Sequence, residues 1–106
     1  MAVNKKALNL EMLKIAGFTH TEGGWSYPDG TMVGKSVPFF LDPELGIAYC
    51  FKWLVPKLKP KTLMMETYEN GYDWCILSEK PSGGAWNGYD NNPALALCLA
   101  IKEVMK

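Results

Sequence analysis

The stretch from Pro93 to Lys106 constrains this chain more than any other. PALALCLAIKEVMK follows Asn92, whose side-chain oxygen suits the orphan N–H groups of a first helical turn, and proline at the first position gives up a donor that a helix start leaves unpaired. The pattern predicts a helix beginning at Pro93. Ala94, Leu97, Cys98, Ile101, Val104 and Met105 recur at the i, i+3, i+4, i+7 spacing of one face, and Leu95 and Leu99 widen that face beyond a stripe. A helix this apolar must be covered almost all round, so the C-terminal segment is expected to be a core element.

The chain has 106 residues, which implies a single domain over 1–106, large enough to bury roughly two-thirds of its unfolded surface. Hydrophobic residues make up 48% and charged residues 21%, within the globular range, and no apolar run approaches the ~20 residues of a membrane span. A soluble protein with no membrane partner is expected. The opening MAVNKKALNLEMLK sets Glu11 and Lys14 inside its apolar stretch, which a secretory leader would exclude, so a cytoplasmic location is expected. Cys50, Cys75 and Cys98 lie more than twenty residues apart, each inside a predicted element. That spacing favours small buried hydrophobes in a reducing compartment over a disulfide or a metal site.

The formal net charge is zero and all eleven basic residues are lysine. Arginine is the side chain that forks onto guanine or a phosphate, so its absence disfavours base-specific DNA recognition. Lysines cluster around VPKLKPKT, at Lys52, Lys57, Lys59 and Lys61. Lys57, Lys59 and Lys61 are candidates for contact with phosphate or an acidic partner, against the plainer reading of a solvated, proline-broken connection.

Along the chain, Leu8, Met12, Ile15 and Ala16 predict a first helix over about 4–16, stopped by Gly17. Over 18–36 short extended pieces are broken by Gly23-Gly24 and by the proline-led turn Pro28-Asp29-Gly30, and two short strands with a turn between them fit best. Asp42-Pro43-Glu44 is set to open a second helix, with Ile47, Phe51, Leu54 and Leu58 on its buried face and Pro56 ending or bending it. TLMMETYENGYDWCILSE reads as a hairpin of strands 62–68 and 72–78 around a type I′ turn at Asn70-Gly71, which opposes Thr67 to Trp74, Met65 to Ile76 and Leu63 to Ser78. Its second face, with Met64, Glu66, Tyr68, Asp73, Cys75 and Leu77, is mixed, which suggests partial cover there too. The expected class is α+β: a three-layer α/β/α sandwich with an antiparallel sheet of about four strands, helices on both faces, and the order α-β-β-α-β-β-α.

The leading helix, the Trp25 strand with its Pro28-Asp29-Gly30 turn, Val37-Pro38-Phe39-Phe40-Leu41-Asp42 leading into a helix that bears Trp53, the hairpin and the closing 93–102 helix together resemble the phage ABA sandwich domain family. The resemblance spans nearly the whole chain and implies a small phage or prophage protein in the cytoplasm of a bacterial host. It carries no catalytic or binding residue across.

Motifs that suggest chemistry fail on spacing. Gly30 to Ser36 imitates a phosphate-binding loop with one residue too few between its glycines and with Pro38 where a helix should open. His20, the only histidine, lies among Thr19, Thr21 and Glu22, where an exposed surface residue is the plainer reading than a catalytic one. Glu66 and Asp73 share a hairpin face, and rim carboxylates explain them better than an acid/base pair. The acids show no ligand spacing either. No enzyme activity, cofactor or metal is therefore expected.

The segment 79–91, EKPSGGAWNGYDN, reads as a long glycine-rich connection whose Trp86 and Tyr89 either anchor a partner or cap the sandwich. The resulting expectation is a non-enzymatic accessory protein that acts through protein contacts, whether with another protein or a second copy of itself. The alternative is nucleic-acid binding through the Lys57 to Lys61 cluster and the loop aromatics.

Overall fold

The structure, a computed structural model, describes residues 4–34, 36–58, 61–78 and 84–105. Helix α1 (Lys5–Ala16) begins where Asn4 accepts a hydrogen bond from the Ala7 N–H at 3.0 Å and ends at Gly17, whose φ of 101° is the left-handed cap that glycine adopts without strain. Leu8, Met12, Leu13 and Ala16 are buried along one side. Asn9 is buried with them: its amide donates to the Pro38 carbonyl at 3.1 Å and its oxygen accepts from the Phe40 N–H at 2.7 Å, so the helix and the 38–40 segment are clamped together.

Strands β1 (Thr19–Thr21) and β2 (Gly24–Ser26) form a separate two-stranded sheet whose turn is Glu22-Gly23, while Pro28-Asp29-Gly30 makes a second turn after β2. It flanks an aromatic cluster in which Trp53 meets Phe18 at 5.4 Å, Tyr49 at 5.9 Å, Phe40 at 6.3 Å and Tyr27 at 6.5 Å.

The second helix differs from expectation in its face and its end. The Asp42 carboxylate accepts from the Glu44 and Leu45 N–H groups at 2.8 and 2.9 Å, but regular α2 runs only over Gly46–Tyr49 before a π-helical turn (Cys50–Leu54) and a 3₁₀ turn (Val55–Leu58). The wider π turn rotates the buried side, so Cys50, Leu54 and Leu58 point inward while Phe51 is 46% exposed. Pro56 sits inside the 3₁₀ turn and does not stop the helical path.

Strands β3 (Lys61–Tyr68), β4 (Gly71–Ser78) and β5 (Ala85–Asp90) form an antiparallel sheet in the order β3-β4-β5. The element order is thus α-β-β-α-β-β-β-α, and the single four-stranded sheet is replaced by two sheets of two and three strands. The hairpin register is also corrected. Tyr68 pairs with Gly71, Thr67 with Tyr72, Met65 with Trp74 and Leu63 with Ile76, so the turn residues are Glu69-Asn70. Neither Asn70 nor Gly71 has the positive φ of a type I′ turn. Because the pairing differs by two residues, every side chain keeps its predicted face.

Much of the expected 79–91 loop is strand. Residues 79–83 lie outside the described residues, and 85–90 is β5, with Gly88 opposite Trp74 and Trp86 opposite Ile76. Gly88 is where the sheet meets helix α3 (Pro93–Val104): a Cβ there would overlap the Ala96 carbonyl and stand 2.5 Å from the Ala100 nitrogen. Two residues further round the same helix, about 200° away, Ala94 and Cys98 face the opposite direction. Ala94 lies where a Cβ on Gly46 would go, and the Cys98 and Cys50 sulfurs are 3.7 Å apart.

Helix α3 is therefore the middle layer, with the sheet on one side and α1 and α2 with its π turn on the other. This accounts for its all-round apolarity: Ala94, Leu97, Cys98, Ala100 and Ile101 are all fully buried. The expected layering, with helices on both faces of the sheet, gives way to sheet, α3, then the other helices. Asn92 caps α3 by accepting from the Ala94 and Leu95 N–H groups, and donates its own amide to the Leu41 carbonyl at 2.7 Å. At the far end Lys102 meets Glu11 of α1 at 3.7 Å.

Candidate functional site

Alternation along each strand divides the sheet's side chains between two environments. Trp74, Ile76, Gly88 and Trp86 face α3. Trp74 and Ile76 are buried, and the Trp74 indole donates to the Pro93 carbonyl at 2.9 Å. The opposite face carries Met64, Glu66 and Tyr68 from β3, Asp73, Cys75 and Leu77 from β4, and Asn87 and Tyr89 from β5. Tyr89 is 53% exposed, Tyr68 52% and Met64 47%. An exposed sheet face with this much aromatic and thioether surface is an interaction candidate.

The end of this face near the β3–β4 turn is organised around Gly71. A Cβ at that position would stand 2.7 Å from the Tyr89 hydroxyl oxygen, so the Tyr89 ring lies across the glycine from β5 and reaches Tyr68 on β3. The two rings meet edge to face, with centroids 6.1 Å apart and an interplanar angle of 63°. Glu66 and Asp73 are direct cross-strand partners, and Asp73 in turn pairs with Tyr89. The Tyr68 hydroxyl donates to Glu66 Oε2 at 3.0 Å, and the Asn87 amide lies 3.5 Å from both Asp73 oxygens. The hydrogen bond to Glu66, and then that carboxylate's charge, raise the Tyr68 pKa above the ordinary tyrosine value, which keeps the phenol neutral. Between these groups lies an open cleft of about 430 Å³ lined by Tyr68, Glu69, Asn70, Asp73 and Tyr89.

The residues singled out in the sequence fall in different places. Trp86 and Tyr89 lie on opposite faces of β5: Trp86 packs half-buried against the core on the α3 side, and Tyr89 joins the open face, so the two do not share a surface. Lys57 is exposed in the 3₁₀ turn, and Lys52 holds its ammonium 4.6 Å from the centre of the Trp53 ring. Lys59 and the side chain of Lys61 lie outside the described residues. His20 is exposed on β1, its ring 4.9 Å from that of its cross-strand partner Trp25 and tilted 52° to it. Among the described residues no three His, Cys, Asp or Glu side chains gather as a metal site, and no helix is long and apolar enough to cross a membrane.

Tyr68 is the functional candidate that sequence reading passed over. Treating Asn70-Gly71 as a turn hid the alternative use of Gly71, a bare spot in a strand that an aromatic from the next strand can cover.

A second concavity, about 390 Å³, lies between Leu10 and Leu13 of α1 and Val37 and Phe39. Its walls are apolar apart from Lys5, Lys6 and Asn9, and Asn9 is already paired with Pro38 and Phe40. The Tyr68–Tyr89 cleft offers the richer set of orienting groups. No protein-family model, curated protein or solved structure matches the chain.

Proposed function

We propose that this chain is a non-enzymatic accessory protein, of phage or prophage origin and active in the host cytoplasm, that works through protein contacts on the open face of its three-stranded sheet. The observation that carries the reading is the contrast across β4 and β5: on one face Trp74, Ile76 and Gly88 are buried against α3, while the other leaves Tyr89 about half exposed beside Asp73, next to Tyr68 and Glu66 on β3, a strand whose Met64 and Met65 are both exposed. In an α/β/α sandwich a helix would cover this face, and here a partner supplies that cover. Nucleic acid is the weaker reading for the same surface, because its two carboxylates repel phosphate where the tyrosines would have to stack on bases.

Cys75 makes the test direct. It sits partly exposed on the open face, whereas Cys50 and Cys98 are buried and the Cys98 thiol is held protonated by its hydrogen bond with Cys50 and by burial. A photo-crosslinker attached to Cys75 of the native chain, activated in phage-infected host lysate with and without nuclease, should capture one identifiable protein. Tyr89→Ala should lose that capture while keeping the melting temperature. Capture that vanishes with nuclease, or that is indifferent to Tyr89→Ala, overturns the reading.

A further inference from the structure

Glu66 and Asp73 stand directly opposite each other, and like charges so placed destabilise a sheet unless a cation lies between or above them. Among the described residues of this face there is no lysine, and the chain as a whole contains no arginine. The neighbouring cleft adds two tyrosine rings at 6.1 Å, the Asp73 carboxylate and Glu69. Aromatic faces attract cations through the ring quadrupole, and a planar guanidinium satisfies a ring face and a carboxylate edge together, where an ammonium acts as a point charge.

We propose that the Tyr68–Tyr89 cleft receives the guanidinium of an arginine presented by a protein partner. This rests on the open face being the contact surface, and it names the partner's chemistry. A second copy of the arginine-free chain cannot supply the group, so the partner is a different protein. Met64, Cys75 and Leu77 continue the same face beyond the cleft and receive the apolar residues that flank the arginine. The Tyr68 phenol stays neutral and keeps Glu66 oriented by its 3.0 Å hydrogen bond, so the carboxylate is fixed before the cation arrives.

The test is an NMR titration of the full chain with Nα-acetyl-arginine amide, and separately with Nα-acetyl-citrulline amide, the neutral near-isostere. The arginine amide should shift the Tyr68 and Tyr89 ring signals saturably, with a Kd on the order of 10 mM for so small a probe, and the citrulline amide should not. Asp73→Asn and Glu66→Gln should each weaken the arginine amide at least threefold, with thermal melts confirming that both variants fold. Equal response to the two amides, shifts centred outside the cleft, unchanged affinity in both variants, or no shift up to about 100 mM overturns the proposal. Failure here is separable from failure of the contact surface itself. A Cys75 crosslink to a partner whose contact segment holds no arginine leaves the surface standing and removes only the arginine assignment.

Discussion

The two faces of the three-stranded sheet share one backbone, one register and one turn, yet opposite demands shape them. On the α3 side, backbone approaches backbone: Gly88 has no side chain because the Ala96 carbonyl and the Ala100 nitrogen occupy that space. On the open side, Gly71 also lacks a side chain, but what fills the space is the Tyr89 ring. One glycine permits a helix to dock and the other leaves room for the hydroxyl end of an aromatic from the next strand. The first difference is energetic, since it decides whether a core forms. The second shapes a surface and contributes little to stability.

The hardest way to break the comparison is Gly88→Val. A branched side chain there must displace the helix backbone, so a loss above ~3 kcal/mol and no cooperative unfolding by circular dichroism are expected. Leu97→Ala, at a fully buried position of α3, should cost about 2 to 5 kcal/mol by denaturant titration, and a loss under ~1 kcal/mol would move that residue out of the core. Tyr89→Ala should lie at about 1 kcal/mol or less. A loss comparable to that of Leu97→Ala would mean the open face is part of the core, and the contrast would collapse.

The smallest effect is electrostatic and belongs to the far side of α3. The Asp42 pKa is lowered, first by the Leu45 N–H and then by that of Glu44, and the Asp29 pKa is lowered by its hydrogen bonds with Thr31. A carboxyl depressed in the folded state stabilises it fully above the ordinary value of 3.8, and this contribution is lost as pH falls through the lowered folded value. The melting temperature of the parent should therefore drop on acidification below about pH 4, and the drop should be shallower in a doubly substituted Asp29→Ala, Asp42→Ala chain.

Local chemistry was legible wherever the cause was local. Asn92 caps the helix it precedes, Gly17 ends α1, and along β4 Trp74 and Ile76 are buried while Asp73, Cys75 and Leu77 are half-buried, as the pattern implies; β3 departs from it, with Met65 as exposed as Met64. What failed to read were features whose cause lies elsewhere in the fold. AWNGYD looks like a turn because Asn, Gly and Asp have low strand propensity, but Gly88 is required by α3 docking. Phe51 follows helical spacing and is nevertheless turned outward by the π turn. The candidate site was visible only in fragments: Tyr89 stood out as an aromatic in a supposed loop and Glu66 with Asp73 as a rim pair, while Tyr68 gave no signal by itself.

The sequence by itself determined an α+β fold that closes on a helix buried over most of its length, because apolar periodicity and capping are properties of a segment and its nearest neighbours. Only the tertiary structure decided that α3 is the middle layer and that the sheet lies outside it with one face open. Side-chain periodicity states which residues must leave water, but not which element will cover them. That choice was made by the space left at Gly46, taken by the Phe40 carbonyl and the Ala94 side chain, and at Gly88, where strand and helix backbones come together.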